Sequence, residues 1–269
     1  MTTIFDFAAQ YCLTKGVKAS YAHQMAVLTR RFPWHMETLT VDDVDAYLTS
    51  ALRKLAPITV NKHRRMINTL VRHAVKERLI APFPRPIRAV KYTLPPVRAW
   101  SREEMANVLA VATQMPGGTR HCPYNVLIPA WIQVAFCTGL RRSDLLAIER
   151  GQIRGNRIAL TQEKTGYVHV AVLNDVALAA IATLPIRGRR IFGDLISEVQ
   201  IVRVLRRIVK RSVKVGSGKY LRRSSATYAE MQGIDATRQL GHQTAGMKKF
   251  YLDQVLLADN RPALAPIAG

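Results

Sequence analysis

Breaking a phosphodiester without a metal ion takes a nucleophile, cations that hold the nonbridging oxygens, and an acid that protonates the departing oxygen. The chain spaces candidates for all three through its second half. Thr138-Gly-Leu-Arg141-Arg-Ser-Asp-Leu145 sets one arginine, and Leu221-Arg222-Arg223-Ser224 sets another. Leu240-Gly241-His242 follows, and Tyr251 lies nine residues beyond that histidine. Lys164, followed by Thr165-Gly166, stands between the two arginine motifs. Guanidinium forks match phosphate geometry better than an ammonium does. A tyrosine hydroxyl has an ordinary pKa of about 10, so a neighbouring cation or acceptor must ease its deprotonation before it attacks. No H-E-x-x-H string and no acidic cluster of metal-ligand type is present, which argues against a divalent-metal nuclease.

Taken in order, these motifs resemble those of the tyrosine recombinase (phage integrase) family, over roughly residues 95 to 255 and more weakly in the first ninety or so. The resemblance implies that Arg141 and Arg222 clamp the scissile phosphate and that Tyr251 attacks it. A 3′-phosphotyrosyl bond and a free 5′-hydroxyl would result, with no ATP or other cofactor. It makes His242 a donor to the phosphate and Lys164 the general acid, and it gives Asp144 an orienting rather than a reacting role. Two departures stand out. Lys219 occupies the position three before Arg222 where the family usually has histidine. It keeps a cationic donor but loses easy proton exchange near neutral pH, so any base for Tyr251 would be His242 or water. Gly233 to His242 is also about three residues shorter than the family's common form, close to one turn of helix.

Charge names the partner class independently of any family. Lys and Arg number 40 against 18 Asp and Glu, a formal +22, and phosphate neutralisation supplies most sequence-independent nucleic-acid affinity. The charge is clustered: residues 203 to 223 contain no acid, and residues 54 to 91 contain only Glu77. Double-stranded DNA is the expected partner, with two basic surfaces suiting a clamp around a duplex. Lys62, Arg65, Arg72 and Lys76 are candidate DNA contacts in the first region, and Arg206, Lys210 and Arg223 in the second. Three cysteines without C-x-x-C spacing suggest neither a disulfide framework nor a zinc site, and point to a reducing cytosol. The start lacks a basic n-region, and the apolar stretch from Val126 to Phe136 is short and broken by Pro129 and Gln133. A cytoplasmic, nucleoid-associated protein without membrane contact is expected.

The elements that position these residues read as two domains, a helical core-binding domain over 1–92 and a catalytic domain over 93–269. Thr40 offers an N-cap to a helix carrying Val44, Tyr47 and Leu48. At 100° per residue, Met66, Ile67, Leu70, Val71 and Ala74 fall on one side of a helix starting near Pro57, with the four candidate DNA contacts opposite. Five prolines between 81 and 97 read as an extended basic linker, and Ser101-Arg-Glu-Glu104 as a capping box. Ile158, Leu160, Val168, Val170 and Val172 predict a hairpin with Lys164 near its turn. Helices then return, with Val202, Leu205, Ile208 and Val209 predicted to face the core. His63, His73 and His169 read as surface or satisfied histidines, and Tyr124, Tyr220 and Tyr228 as packing residues.

The fold class expected is mainly α with a small antiparallel sheet, the two-domain DNA-clamping fold of the tyrosine recombinases. By resemblance, four subunits would assemble on two DNA sites. The leading reading is a site-specific recombinase or integrase of a phage or mobile element, or a chromosome-dimer resolvase. A type IB topoisomerase-like strand relaxer and a catalytically silent architectural DNA binder are the alternatives. Val255, Leu256 and Leu257 form an apolar cluster expected to dock on a neighbour or on the chain's own body.

Overall fold

A computed structural model describes residues 1–242 and 244–259. The chain divides into two compact units, Met1–Leu94 and Pro95–Gly269. In the first unit, α1 (Ile4–Thr14), α2 (Ala19–Thr29), α3 (Val41–Leu52) and α4 (Pro57–Lys76) enclose a core that includes Ile4, Met25, Leu28, Val44, Leu48, Ile67 and Leu70. Thr40 and Asp43 close a reciprocal capping box at the start of α3, and Pro57 opens α4, where its missing N–H costs nothing. The buried face of α4 carries Val60, Met66, Ile67, Leu70, Val71 and Ala74, while Lys62, Arg65, Arg72 and Lys76 are exposed.

The proline-rich segment is less free than a linker. Ile87 is buried in the first unit's core. The Asn61 side chain donates to Val90 O (2.8 Å) and accepts from Val90 N (3.0 Å), and Arg64 donates to Ile87 O at 3.0 Å. Arg85 pairs with Asp42 and Asp45. These bonds satisfy backbone groups that proline-broken chain cannot pair with itself.

The second unit contains α5 (Arg102–Thr113), α6 (Tyr124–Thr138), α7 (Arg142–Ala147), β1 (Ile153–Arg154), β2 (Arg157–Thr161) and β3 (Val168–Val172). After the sheet come α8 (Asp175–Ala182), α9 (Glu198–Ser212), α10 (Lys219–Met231), α11 (Ala236–Leu240), a 3₁₀ turn (Ala245–Phe250) and α12 (Gln254–Ala258). The core gathers on α6, whose Leu127, Ile128, Trp131 and Ile132 are almost wholly buried, and extends to α5, α8 and α9. Ser101 and Glu104 form the expected capping box.

The three strands form an antiparallel sheet in the order β1-β2-β3. Its buried face pairs Ile158 with Ala171 and Leu160 with His169, and its outer face pairs Ala159 with Val170 and Thr161 with Val168. The strands are where the hairpin was expected, but β3 lies with the opposite face inward. Val168, Val170 and Val172 are 73%, 53% and 54% exposed. Inward, β3 instead presents Ala171 and His169, opposite the buried Ile158 and Leu160 of β2; strand alternation defines two faces without saying which one is covered. On α9 the buried set is Ile201, Val204, Leu205, Ile208 and Val209. Val202 faces solvent, one residue out of phase with that stripe. Leu257 of α12 packs with Ala226, Ala236, Leu240 and Leu252 of its own chain, against which Tyr251 also rests, while Val255 is exposed.

Candidate active site

Arg141 directly precedes α7 in extended conformation, just after α6 ends on Gly139 in the left-handed region (φ 62°). A Cβ at Gly139 would lie 2.8 Å from Leu240 Cδ2 and 2.9 Å from Ser225 Oγ. Both the backbone conformation and the close approach therefore call for glycine. The bare turn brings the Gly139 carbonyl to Arg222.

Arg222, on α10, is almost wholly buried. Its Nη1 donates to Gly139 O, and its Nη2 lies 3.1 Å from Leu240 O and 3.0 Å from His242 Nε2. A guanidinium only donates, so His242 Nε2 is the acceptor and the proton of the neutral ring sits on Nδ1. Burial first, then Arg222, Arg141 and Lys164, holds the His242 pKa down to about 4. That histidine is uncharged near neutral pH, with its Nδ1–H left to donate. Burial also draws the Arg222 pKa down to about 10, against the adjacent Tyr251 hydroxyl, which draws it up. Arg222 thus keeps its charge near neutral pH although its hydrogen-bond partners are neutral, a costly arrangement that sites for anions repay when occupied.

Tyr251 is half-buried. Its ring lies 5.2 Å from the Arg222 guanidinium carbon and 4.9 Å from the His242 ring. Asp253, two residues on and buried, holds this segment from behind. Its Oδ1 caps α12 through Val255 N and Leu256 N, its Oδ2 accepts from Ala99 N at 2.8 Å, and its own amide donates to Thr227 Oγ1. Lys248, in the 3₁₀ turn ahead of Tyr251, pairs with Glu230 (2.9 Å) and Asp235 (3.2 Å). The short segment before His242 becomes a five-residue helix capped by Asp235 and turned by Gly233 at φ 75°.

A cleft of about 490 Å³ is lined by Arg141, Lys164, Lys219, Arg222 and Tyr251, with Arg223 at its wall. Lys164 is exposed in the hairpin turn, and Lys219, the first residue of α10, is exposed as well. Asp144, 1% exposed, accepts from Glu163 N at 3.1 Å and lies 3.8 Å from Arg141 Nη1. Arg223 stacks on Tyr220 (5.2 Å), while Arg206 and Lys210 stand exposed on α9. Lys62, Arg65, Arg72 and Lys76 belong to the first unit.

Two buried residues outside the expected site set pack against Arg141 and Gly241. Gln162, 0% exposed, accepts from Arg141 Nη1 at 2.7 Å and donates to Leu240 O at 3.2 Å. Its parity was the available signal: it continues the inward positions of Ile158 and Leu160, and a buried amide must find partners. His169 was expected at the surface or satisfied. Instead it is buried under Gly241 with Nε2 lacking a protein partner, and burial lowers its pKa. A Cβ at Gly241 (φ 61°) would lie 2.7 Å from His169 Nδ1 and 2.5 Å from Gln162 Nε2, which explains the glycine before His242. Among the described residues, no group of three or more His, Cys, Asp or Glu is placed to hold a metal, and no helix is long and apolar enough to cross a membrane.

No protein-family model matches the chain, and no curated protein does. Solved structures do. A lambda integrase fragment, a dimer bound to a COC′ core site, superposes with a TM-score of 0.77 at 20% identity, covering 98% of each chain. The fold is that of the tyrosine recombinases. A lambda integrase tetramer bound to a Holliday junction gives a TM-score of 0.73 at 18% identity, over 98% of this chain and 78% of that one. The Tn1549 transposon integrase in complex with circular intermediate DNA gives 0.71 at 14% identity, over 94% and 95%. The mainly helical tyrosine recombinase fold, with its small antiparallel sheet, is thus reached with little sequence in common.

Proposed function

We propose that the protein is a site-specific DNA recombinase or integrase that cuts and rejoins strands through a 3′-phosphotyrosyl intermediate. The observation that carries this reading is the contact of the Tyr251 ring with both the buried Arg222 guanidinium and His242, in a cleft shared with Arg141. Arg141 and Arg222 hold the nonbridging oxygens, and His242 donates its Nδ1 proton to one of them. The Tyr251 oxygen bonds to phosphorus as it gives up its proton to water, because the acceptor nitrogen of His242 is engaged by Arg222. As the P–O5′ bond breaks, the 5′ oxygen takes a proton from the Lys164 ammonium, leaving a free 5′-hydroxyl. Lys219 adds a second ammonium to the cleft. The same steps run backwards on the incoming strand reseal the backbone, and the phosphotyrosyl bond conserves the energy. No nucleotide or other cofactor enters.

The exposed cations of α4 and α9, with Arg223, contact the phosphates of double-stranded DNA. In the cell the protein works in the cytoplasm on the nucleoid. The solved lambda integrase tetramer on a Holliday junction supports four subunits on two DNA sites. A pool of nicked duplexes of randomised sequence, denatured after incubation, tests the chemistry. The chain is expected to trap a covalent adduct, and Tyr251→Phe to abolish it while sparing binding. An adduct that survives Tyr251→Phe removes the nucleophile from this scheme. Binding without any adduct leaves an architectural DNA binder. Relaxation of a supercoiled plasmid that carries no site selected from the pool points instead to topoisomerase-like activity.

A further inference from the structure

The turn that carries Lys164 is held on both flanks. Before it, Glu163 N donates to Asp144 Oδ1 at 3.1 Å, and after it, Thr165 Oγ1 donates to Gln162 Oε1 at 3.0 Å. Gln162 itself closes the turn through its backbone, donating to Tyr167 O and accepting from Gly166 N, each at 2.8 Å. Its side-chain oxygen has two acceptor directions, and both are in use, one by Thr165 and one by Arg141 Nη1 at 2.7 Å. Its amide nitrogen reaches Leu240 O, the carbonyl that also takes Arg222 Nη2. One buried amide therefore touches the first arginine and the root of the lysine turn, and shares an acceptor with the second arginine. A buried amide with its oxygen and nitrogen both engaged has little freedom to reorient, so a shift of Arg141 is felt at Thr165, next to Lys164.

We propose that Gln162 is a positioning residue that ties the seating of the scissile phosphate on Arg141 to the placement of the general acid Lys164. The proposal rests on the recombinase reading and goes beyond it. The amide does not touch the reacting atoms. It makes proton delivery to the 5′ oxygen depend on the phosphate being in place, which keeps Lys164 from wandering in solvent.

The test uses the full chain and a nicked duplex recovered from the randomised pool, made in two forms that differ only in the bridging 5′ atom, oxygen or sulfur. A 5′-thiol, with an ordinary pKa of about 8.5, departs as thiolate without a donated proton, whereas an alkoxide does not. Gln162→Ala is expected to slow adduct formation on the oxygen duplex by about tenfold or more, a part of the roughly hundredfold to ten-thousandfold that a general acid contributes, and on the sulfur duplex by no more than about threefold. Thr165→Val, an exposed position where folding is not at stake, is expected to show the same preference to a smaller degree. Lys164→Ala should show it most strongly. Equal slowing on both duplexes, or no slowing, in both Gln162→Ala and Thr165→Val overturns the inference while leaving the recombinase reading intact. An unaltered chain that forms no adduct on either duplex overturns both.

Discussion

The basic face of α4 and the basic floor of the cleft hold their charge in different ways. On α4, Lys62, Arg65, Arg72 and Lys76 stand in water on the polar side of an amphipathic helix, free to meet a phosphate at any register. In the cleft, Arg222 is almost wholly out of water and fixed by two carbonyls and a histidine. Exposed cations are screened by salt and give affinity, whereas a fixed, desolvated cation gives geometry to a reaction. The first set is therefore expected to govern how tightly DNA binds, and the second how fast it is cut.

The largest effect that separates the two is expected from Arg222→Lys. It keeps the charge but loses the fork that spans Gly139, Leu240 and His242, so adduct formation should fall on the order of a hundredfold or more. Duplex binding at moderate salt should change little, and a matching loss of binding would erase the distinction. Next in size is the joint change of Arg65, Arg72 and Lys76 to alanine. Titrations at several salt concentrations should show weaker binding, with a slope of log affinity against log salt shallower by about 0.9 for each phosphate that the variant no longer neutralises. The cutting rate at saturating DNA should stay the same, and a slower rate there would give α4 a part in the chemistry.

The smallest effect sharpens the comparison through pH. His242 is held to about 4 in the fold against an ordinary 6.5, so between those values the unfolded chain binds the extra proton and the folded one does not. Its contribution to stability is complete above about pH 6.5 and is lost as pH falls towards 4. Burial lowers His63 and His169 in the same sense. Melting temperatures measured from pH 7 down to pH 4.5 should fall, and the fall should be shallower in His242→Gln. Identical slopes in the two proteins would mean that the ring is not held neutral by its site.

The same contrast explains what the sequence made legible. The α4 face follows from helical periodicity, because Met66, Ile67, Leu70, Val71 and Ala74 fall on one side by angle alone. Capping boxes at Thr40 and Ser101 are local, so residue types three apart suffice to place them. Arg141, Arg222 and Tyr251 stood out through their motifs, and the fold gathers them around one cleft. What escaped depends on partners distant in the chain. Alternation along β3 defines two faces but not which turns inward; that is settled by the register with β2, which sets Ala171 and His169 opposite the buried Ile158 and Leu160. Val202 missed for the opposite reason, since an apolar residue at the margin of a helical stripe is cheaply left in water. Gln162 gained its place only when Arg141 and Leu240, 21 and 78 residues away, met around it, joining Thr165 of its own turn.

The bond between Asp253 Oδ2 and the Ala99 amide bears on how the second unit can be prepared alone. A fragment starting at Trp100 would lack that amide and leave one oxygen of a buried carboxylate with nothing to accept, two residues from the phenol that matters. Such a fragment could fold, bind DNA and still cut it poorly for want of a single peptide N–H outside the cleft. A sound truncation keeps the stretch from Pro95 onward, so that the strap behind the tyrosine stays fastened.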